Sequence, residues 1–386
     1  MWLEDIEENA LVQIKNLANL PFAFKHIAIM PDSHCGYGMP IGGVLATKGV
    51  IIPNAVGVDI GCGMCAVKTS LTELDTETLK KIMGEIRKAV PVGFNHHKEK
   101  QDEKLMPMVE EGDGSNSTTK KFGWAGNKII TEQYQSALKQ IGTLGGGNHF
   151  IEIQKGSDGY IWIMIHSGSR NLGKQVADHY NKIAKELNSK WHSSVPKEWD
   201  LAFLPVDSEE GQAYIREMNY CVEFALANRK LMMNRICEIF NGEANCTFEP
   251  MINIAHNYAK LENHFGENVW VHRKGATLAT QDTIGIIPGS QGTKSYIVKG
   301  KGNPESFMSC SHGAGRKMGR NESQKTLNLE EEIKKLDDQG ILHAIRGVKD
   351  LDEASGAYKR IDEVMRNQKD LVELLVELTP LGVIKG

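Results

Sequence analysis

Five short segments of this 386-residue chain concentrate reactive side chains where a core would select apolar ones. They are Gly57-Val58-Asp59-Ile60-Gly61-Cys62-Gly63-Met64-Cys65, Gly145-Gly146-Gly147-Asn148-His149-Phe150-Ile151-Glu152, Ile165-His166-Ser167-Gly168-Ser169-Arg170, Asn253-Ile254-Ala255-His256-Asn257 and Ser309-Cys310-Ser311-His312-Gly313-Ala314-Gly315-Arg316. A lone histidine after a strand is usually a hydrogen-bonded structural residue. Here His149, His166 and His256 each close an apolar segment or a glycine turn, where loops present functional groups. Together with Asp59 and Cys62 they offer nitrogen, sulfur and oxygen donors for a transition metal. A thiolate can bridge two ions, and two-metal sites suit phosphoryl transfer. Mixed Cys/His/Asp donors favour Mn, Fe, Co or Zn over Mg.

Gly145-Gly146-Gly147, Gly313-Ala314-Gly315 and Pro288-Gly289-Ser290-Gln291-Gly292-Thr293-Lys294-Ser295 let backbone amides approach a phosphate, or make ordinary tight turns. None matches the spacing of a P-loop, so no NTPase of that class is indicated. Cys62-Gly63-Met64-Cys65 admits a redox pair or half a zinc site. No second CxxC exists, so a four-cysteine zinc knuckle has no support. Cys65 leads into Ala66-Val67, which favours buried packing.

These segments need elements to hold them. Strands are expected at His26–Met30, at Gly49–Ile52 and at Tyr160–Ile165, the last apolar enough to be central. Helical spacing covers residues 71–90, about 173–187 and, most strongly, 209–241. Residues 267–310 read as short strands between glycine turns, and the last 60 residues as mainly helical. Residues 93–128, with His96-His97 and Gly112-Asp113-Gly114-Ser115, read as a polar surface excursion. No fixed-period repeat interrupts this order. The mixture predicts an α+β fold in one large unit, residues 1–386.

Composition sets the outer bounds. A chain of this length buries about 75% of its unfolded surface and needs no disulfide staples. Net charge is −4, which excludes a polycationic tail protein but not a nucleic-acid enzyme with a local basic groove. No segment approaches the roughly 18 apolar residues of a membrane span. Met1-Trp2-Leu3-Glu4-Asp5 has no basic region ahead of an apolar stretch. A cytosolic protein without a membrane partner, its seven cysteines reduced, is expected.

The segment Met30-Pro31-Asp32-Ser33-His34-Cys35-Gly36-Tyr37-Gly38-Met39-Pro40-Ile41-Gly42-Gly43-Val44 resembles the opening signature of the RtcB family of RNA ligases. The resemblance continues through Val56–Met64, Gly147-Asn148-His149-Phe150, His166–Arg170, His272-Arg273-Lys274-Gly275-Ala276-Thr277, Ile287-Pro288-Gly289-Ser290 and Ser311–Arg316. It implies one large fold around a deep metal and nucleotide cleft. It implies a ligase that joins RNA 3′-phosphate or 2′,3′-cyclic phosphate ends to 5′-hydroxyl ends, with GTP and two Mn2+ ions, in RNA repair or tRNA splicing. The family's nucleophile, which becomes guanylylated, falls on His312; a neutral imidazole is a competent phosphorus nucleophile. Its metal ligands fall on Asp59, Cys62, His149, His166 and His256, with Cys62 as the bridge. Nucleotide contacts fall on Asn148, His149, Phe150, Ile151, Glu152, His256, Asn257, Pro288, Gly289, Ser290, Gln291, Ser295, His312, Gly313, Ala314, Gly315 and Lys385. A lysine at 385 would favour the guanine O6 acceptor over the amino donor of adenine. Arg170 suits the RNA phosphate, because a guanidinium fork fits phosphate oxygens. An activating protein is a further candidate partner.

The sequence departs from the family pattern at Ser33, Cys35 and Gln291, and residues 93–128 do not align with it. These departures bear on substrate choice, including a branch acting on DNA ends. Two other readings compete. A metal-dependent phosphoesterase acting on RNA ends would need the metal ligands but not His312 or Lys385. A redox or zinc module on Cys62 and Cys65 would leave the histidines and glycine loops without a role.

Overall fold

Seven antiparallel strands form the sheet on which the reactive segments are mounted. Their order across the sheet is Ile284–Ile287, Ser295–Gly300, Val372–Lys385, Phe150–Gly156, Ile161–Ser167, Gly63–Lys68 and Ile252–Ala255. The computed structural model describes residues 1–108 and 127–386 of the chain. All seven residues of Ile161–Ser167 are buried, as its apolar run predicts for a central strand. Alternate side chains serve two different cores. Met64, Ala66, Trp162 and Met164 join Ile286, Ile297 and Leu378 in one apolar cluster. That cluster draws on strands from both edges, so the sheet curls into a nearly closed barrel. Cys65, Val67, Ile161, Ile163 and Ile165 point the other way, against Ile82, Met83, Ile86, Met232, Met233 and Ile236 of two helices.

Those helices are Thr76–Ala89 and Glu209–Ala244. The first begins later than the periodic stretch from residue 71, because the Asp75 carboxylate accepts the backbone N–H groups of Glu77 and Thr78 and sets the start. The second runs 36 residues from a Ser208 cap to Asn245, which turns left-handed at φ 45°. A second, four-stranded sheet is ordered Ala23–His34, Ile41–Thr47, Glu267–Lys274 and Asn257–His264. Only His256 separates Ile252–Ala255 of the first sheet from Asn257–His264 of the second. The reactive segments therefore lie where the two sheets meet. The fold is α+β, as expected.

Several expectations need correction. The C-terminal 60 residues are not mainly helical. Short helices at Leu329–Asp337 and Ile361–Asn367 precede a 14-residue strand, Val372–Lys385. Val372-Glu373-Leu374-Leu375-Val376-Glu377-Leu378 fits a helical apolar face as well as a strand, so periodicity alone misreads it. The unpaired edges of Ser295–Gly300 and Phe150–Gly156 decide the matter, and Pro380 and Gly382 introduce a bulge against Phe150–Gly156. The strand expected at Gly49–Ile52 is only Val50–Ile51. The helix expected at about 173–187 runs from Arg170 to Lys190. Of the excursion at 93–128, residues 109–126 lie outside the described residues. Lys128 begins a helix, Lys128–Gln140, that was not anticipated.

Candidate functional site

Neighbouring antiparallel strands run in opposite directions, so one end of the sheet gathers alternating strand starts and strand ends. Lys385 ends its strand, His149 precedes Phe150, His166 lies next to the end of Ile161–Ser167, Cys62 precedes Gly63 and His256 follows Ala255. Residues up to 323 positions apart in sequence thereby share one rim.

Five donor residues form a continuous chain there. Asp59 Oδ2 lies 3.3 Å from His149 Nε2, which lies 3.4 Å from Cys62 Sγ. Cys62 Sγ is 3.3 Å from His166 Nε2, itself 3.4 Å from His256 Nε2. The Nδ1–H groups of His149 and His166 donate to the carbonyls of Leu144 and Asn148, both at 3.0 Å. At His166 that bond leaves the Nε2 lone pair facing the cluster, the tautomer a metal ligand requires, while His149 Nε2 meets the Asp59 carboxylate. Burial, then the neighbouring imidazoles, pushes the pKa of His166 and His256 well below the ordinary histidine value, so both are neutral. Burial pulls Asp59 upward, but its hydrogen bond with His149 holds the carboxyl at about 2. The Cys62 thiol is pushed up by burial and by Asp59, so a cation binding there displaces a proton. Cys62 sits in the middle, with Asp59 and His149 on one side and His166 and His256 on the other. This donor set fits two ions sharing a thiolate.

His312 follows the short strand Ser309–Ser311 and stands beside the cluster, its ring centroid 4.8 Å from that of His256. Its Nδ1–H donates to Asp32 Oδ2 at 2.6 Å, and the same oxygen accepts the backbone N–H groups of His312 and Gly313. Asp32 is fully buried in the strand Ala23–His34. The arrangement leaves His312 Nε2 as the free, basic nitrogen. Gly315 allows the loop to close: at φ +73°, a Cβ would stand 2.1 Å from the Asp32 carbonyl oxygen.

Two spaces meet at His312. A narrow cavity is lined by Asn148, Phe150, Glu152, the turn Pro288-Gly289-Ser290-Gln291, Gly313-Ala314-Gly315 and Lys385. A wider cleft of about 1000 Å³ passes Asp59, Cys62, His149, His256, Asn257 and Arg170. Strand alternation sorts the expected nucleotide contacts. Phe150 and Glu152 face the cavity, whereas Ile151 packs on the opposite face against the helices. Ser295 is buried behind the cavity, where its hydroxyl accepts the Gly289 N–H at 3.1 Å and braces the turn. Asn257 lines the cleft, donating to the Asp59 carbonyl at 3.0 Å. Burial raises Glu152 to about 8, against a hydrogen bond from Gln154 and the nearby Lys385 ammonium. Val383 and Ile384 are buried and Lys385 pairs with Phe150, so Lys385 is held in the sheet.

Arg170 opens its helix at φ +60°, a left-handed conformation that costs roughly 1–2 kcal/mol for a non-glycine residue. Its guanidinium crosses beneath Gly145, where a Cβ would lie 1.9 Å away, and its Nε donates to Thr143. Cys65 is buried among apolar side chains on the opposite face from the cluster, and burial pushes its thiol up to about 12. All seven cysteines are free. That geometry gives no support to a Cys62–Cys65 redox pair.

The residue reading missed a supporting layer. Asp32 carried no assigned role, although a buried acid in an apolar strand is a usable signal. Glu353 closes one cavity wall, accepting from the Tyr358 hydroxyl and pairing with Arg316 at 3.2 Å and Arg320 at 2.8 Å. Asn228 and Arg229 of the helix Glu209–Ala244 are fully buried. Arg229 Nη1 donates to the carbonyls of Gly61 at 3.0 Å and Ser167 at 2.8 Å, next to Cys62 and His166. Asn228 Oδ1 accepts the N–H of Gly142 at 2.7 Å, and its amide donates to the Gly168 carbonyl at 3.1 Å.

Against known proteins, a family model described as tRNA-splicing ligase RtcB matches residues 13–386. The chain is 40% identical over 405 residues to the RNA-splicing ligase RtcB of Escherichia coli K12, covering 100% of this chain and 97% of that protein. It is 34% identical to the tRNA-splicing ligase RtcB of Methanococcus maripaludis, covering 99% and 92%. It is 33% identical to the RNA-splicing ligase RtcB of Mycobacterium tuberculosis H37Rv, covering 97% and 100%.

Proposed function

The chain belongs to the RtcB family of tRNA-splicing ligases, and from that premise we propose that it is a GTP- and Mn2+-dependent enzyme that joins RNA 3′-phosphate or 2′,3′-cyclic phosphate ends to 5′-hydroxyl ends. The observation that carries the reading is His312. Asp32 holds its Nδ1 proton, and the ring lines both the narrow cavity and the metal-donor cleft.

His312 Nε2 attacks the α-phosphorus of GTP, forming a P–N bond as the bond to pyrophosphate breaks. Asp32 stabilises the imidazolium character that develops, as a carboxylate behind a nucleophilic or basic imidazole does. A 2′,3′-cyclic end is first opened by water, which breaks the P–O2′ bond and leaves a 3′-phosphate; the GMP group then passes from His312 to an oxygen of that phosphate as the P–N bond breaks. Attack of the 5′-hydroxyl oxygen on that phosphorus forms the phosphodiester and expels GMP. Asp59 and His149 would hold one Mn2+ and His166 and His256 a second, with Cys62 shared. When bound, the ions neutralise phosphate charge and polarise phosphorus towards attack. Backbone amides at Gly313-Ala314-Gly315 and at the Pro288–Gln291 turn suit the nucleotide phosphates. Glu152 and Lys385, an acceptor and a donor side by side, suit the base edge of guanine. Arg170 faces the RNA phosphate from the cleft.

The test is covalent labelling. With GTP labelled at the α-phosphate and Mn2+, the wild-type chain acquires label and His312→Ala does not, while its metal content stays unchanged. Label on the His312→Ala protein would place the nucleophile elsewhere. Activity on RNA ends that persists without GTP would favour a metal-dependent phosphoesterase instead.

A further inference from the structure

The rim of the cleft carries two aromatic rings that the proposed chemistry does not use. Phe94 is 100% exposed and Tyr37 is 74% exposed. Both line the cleft that contains Asp59, Cys62 and His312. Neither sits on a frayed segment. Phe94 occupies a turn closed by the Asn95 N–H on the Val92 carbonyl at 3.2 Å, with the Asn95 amide on the same oxygen at 3.1 Å. The turn is tied to the glycine loop ahead of His149 by the Gly93 N–H on the Gly145 carbonyl at 2.8 Å. Tyr37 is pinned through its backbone, its carbonyl accepting from Lys274 Nζ at 2.6 Å and from the Met39 N–H at 2.8 Å.

A fully solvated phenylalanine on a fixed turn gains nothing from folding, since burial is what makes an aromatic ring stabilising. A backbone already fixed in a turn that presents the ring to a cleft has lost part of the entropy that stacking would otherwise cost. Charge indicates what lies in the cleft. Its lining offers Arg170, together with Lys174 and Arg320, which also pair with Asp178 and Glu353, against Asp59 as the one side-chain carboxylate of the lining among the described residues; Lys274 lies there too, but it is buried, bonded to the Tyr37 and Asn54 carbonyls and lowered to about 7. Aromatic faces beside cationic side chains are the recognition chemistry of single-stranded nucleic acid, in which each base has a face to stack and each linkage a charge to neutralise.

We propose that Phe94 and Tyr37 are stacking platforms for unpaired bases of the RNA strands next to the ends being joined. The proposal rests on the RNA-ligase reading above and adds a substrate preference: ends that are single-stranded near the junction, with little dependence on base identity. Stacking reads a π-face that all bases share, so sequence tolerance follows.

The probe is a short single-stranded oligoribonucleotide ending in a 3′-phosphate, with 2-aminopurine placed at successive positions from that end. Bound to the full-length wild-type chain with Mn2+, the fluorophore is quenched at one or two positions. Phe94→Ala and Tyr37→Ala each remove the quenching at one position and weaken binding by roughly 5- to 150-fold, equivalent to about 1–3 kcal/mol of stacking per base. Phe94→Trp retains both, whereas Phe94→Leu, similar in bulk but without a π-face, does not. Both side chains are solvent-exposed, so their removal leaves folding intact. Unchanged affinity in Phe94→Ala, or full affinity in Phe94→Leu, overturns the proposal and assigns the rings to another partner. A wild-type chain that neither binds nor joins RNA would instead overturn the ligase reading.

Discussion

At His312 the difference between a nucleophile and a spectator is which ring nitrogen carries the proton. Asp32 settles it by accepting from Nδ1 and from two backbone N–H groups at once. Asp32→Asn replaces an acceptor with an amide that can donate to Nδ1 and stabilise the wrong tautomer. Single-turnover guanylylation is expected to slow by roughly 10²–10⁴-fold, with metal content unchanged. A rate within threefold of wild type would deny Asp32 its orienting role. Glu152 makes a pH prediction. Its carboxyl is raised to about 8, so in the free protein it is largely protonated at neutral pH. The guanine edge offers N–H donors, which bind a carboxylate better than a carboxylic acid. The bound state therefore has the lower pKa, and binding sheds a proton below about pH 8. GTP affinity should rise from pH 6 to 8 and level off above. Glu152→Gln, which cannot ionise, should flatten the profile and narrow the preference for GTP over ATP. Titration calorimetry across that range checks both, and an affinity that falls with rising pH would remove Glu152 from the base-binding edge.

The helix Glu209–Ala244 shows why an element can be legible while its function is not. Its apolar spacing is evident in sequence, yet Asn228 and Arg229 look there like two ordinary polar helix residues. Folded, they are fully buried and tie the backbones on either side of Cys62 and His166. Removing a group that orients metal ligands typically costs 10- to 100-fold in metal affinity. Arg229→Met keeps the bulk and loses the donors, so a loss of that size is expected in Mn2+ titrations of folded protein. Ile236→Ala, a buried truncation on the same helix, should destabilise by roughly 2–5 kcal/mol and leave metal affinity within twofold. Equal loss of metal in both variants would mean that the helix supports the site only by being folded.

Across the whole molecule, the donor chain bridges the curled sheet, the turn at Asp59 and the junction with the second sheet at His256. A metal that binds only this assembled geometry stabilises the entire fold by mass action, about 2.7 kcal/mol per site at a hundredfold excess over Kd. Saturating Mn2+ should therefore raise Tm by roughly 3–8 °C. Cys62→Ala should abolish most of that shift and lose more metal than any single histidine substitution, because the central donor serves both halves. Thermal scans with elemental analysis decide, and a fully loaded Cys62→Ala protein would rule out the shared thiolate.

The sequence by itself determined the chemistry available and the α+β class. Histidines at segment ends, a cysteine and an aspartate in glycine turns, and the ordered family motifs are one-dimensional signals, as are the central strand around Trp162 and the long helix after Ser208. It misplaced the C-terminal strand, because a periodic apolar pattern is ambiguous until neighbouring strands offer it partners. Only the tertiary structure decided which residues share a face. It directed Glu152 to the cavity and Ile151 away, put Ser295 behind a turn, separated Cys65 from Cys62, and brought Asp32 to His312 across 280 positions. The physical reason is geometric. Strand alternation and antiparallel order convert distance along the chain into proximity at one rim, and that conversion depends on which strands pair, which no local spacing encodes.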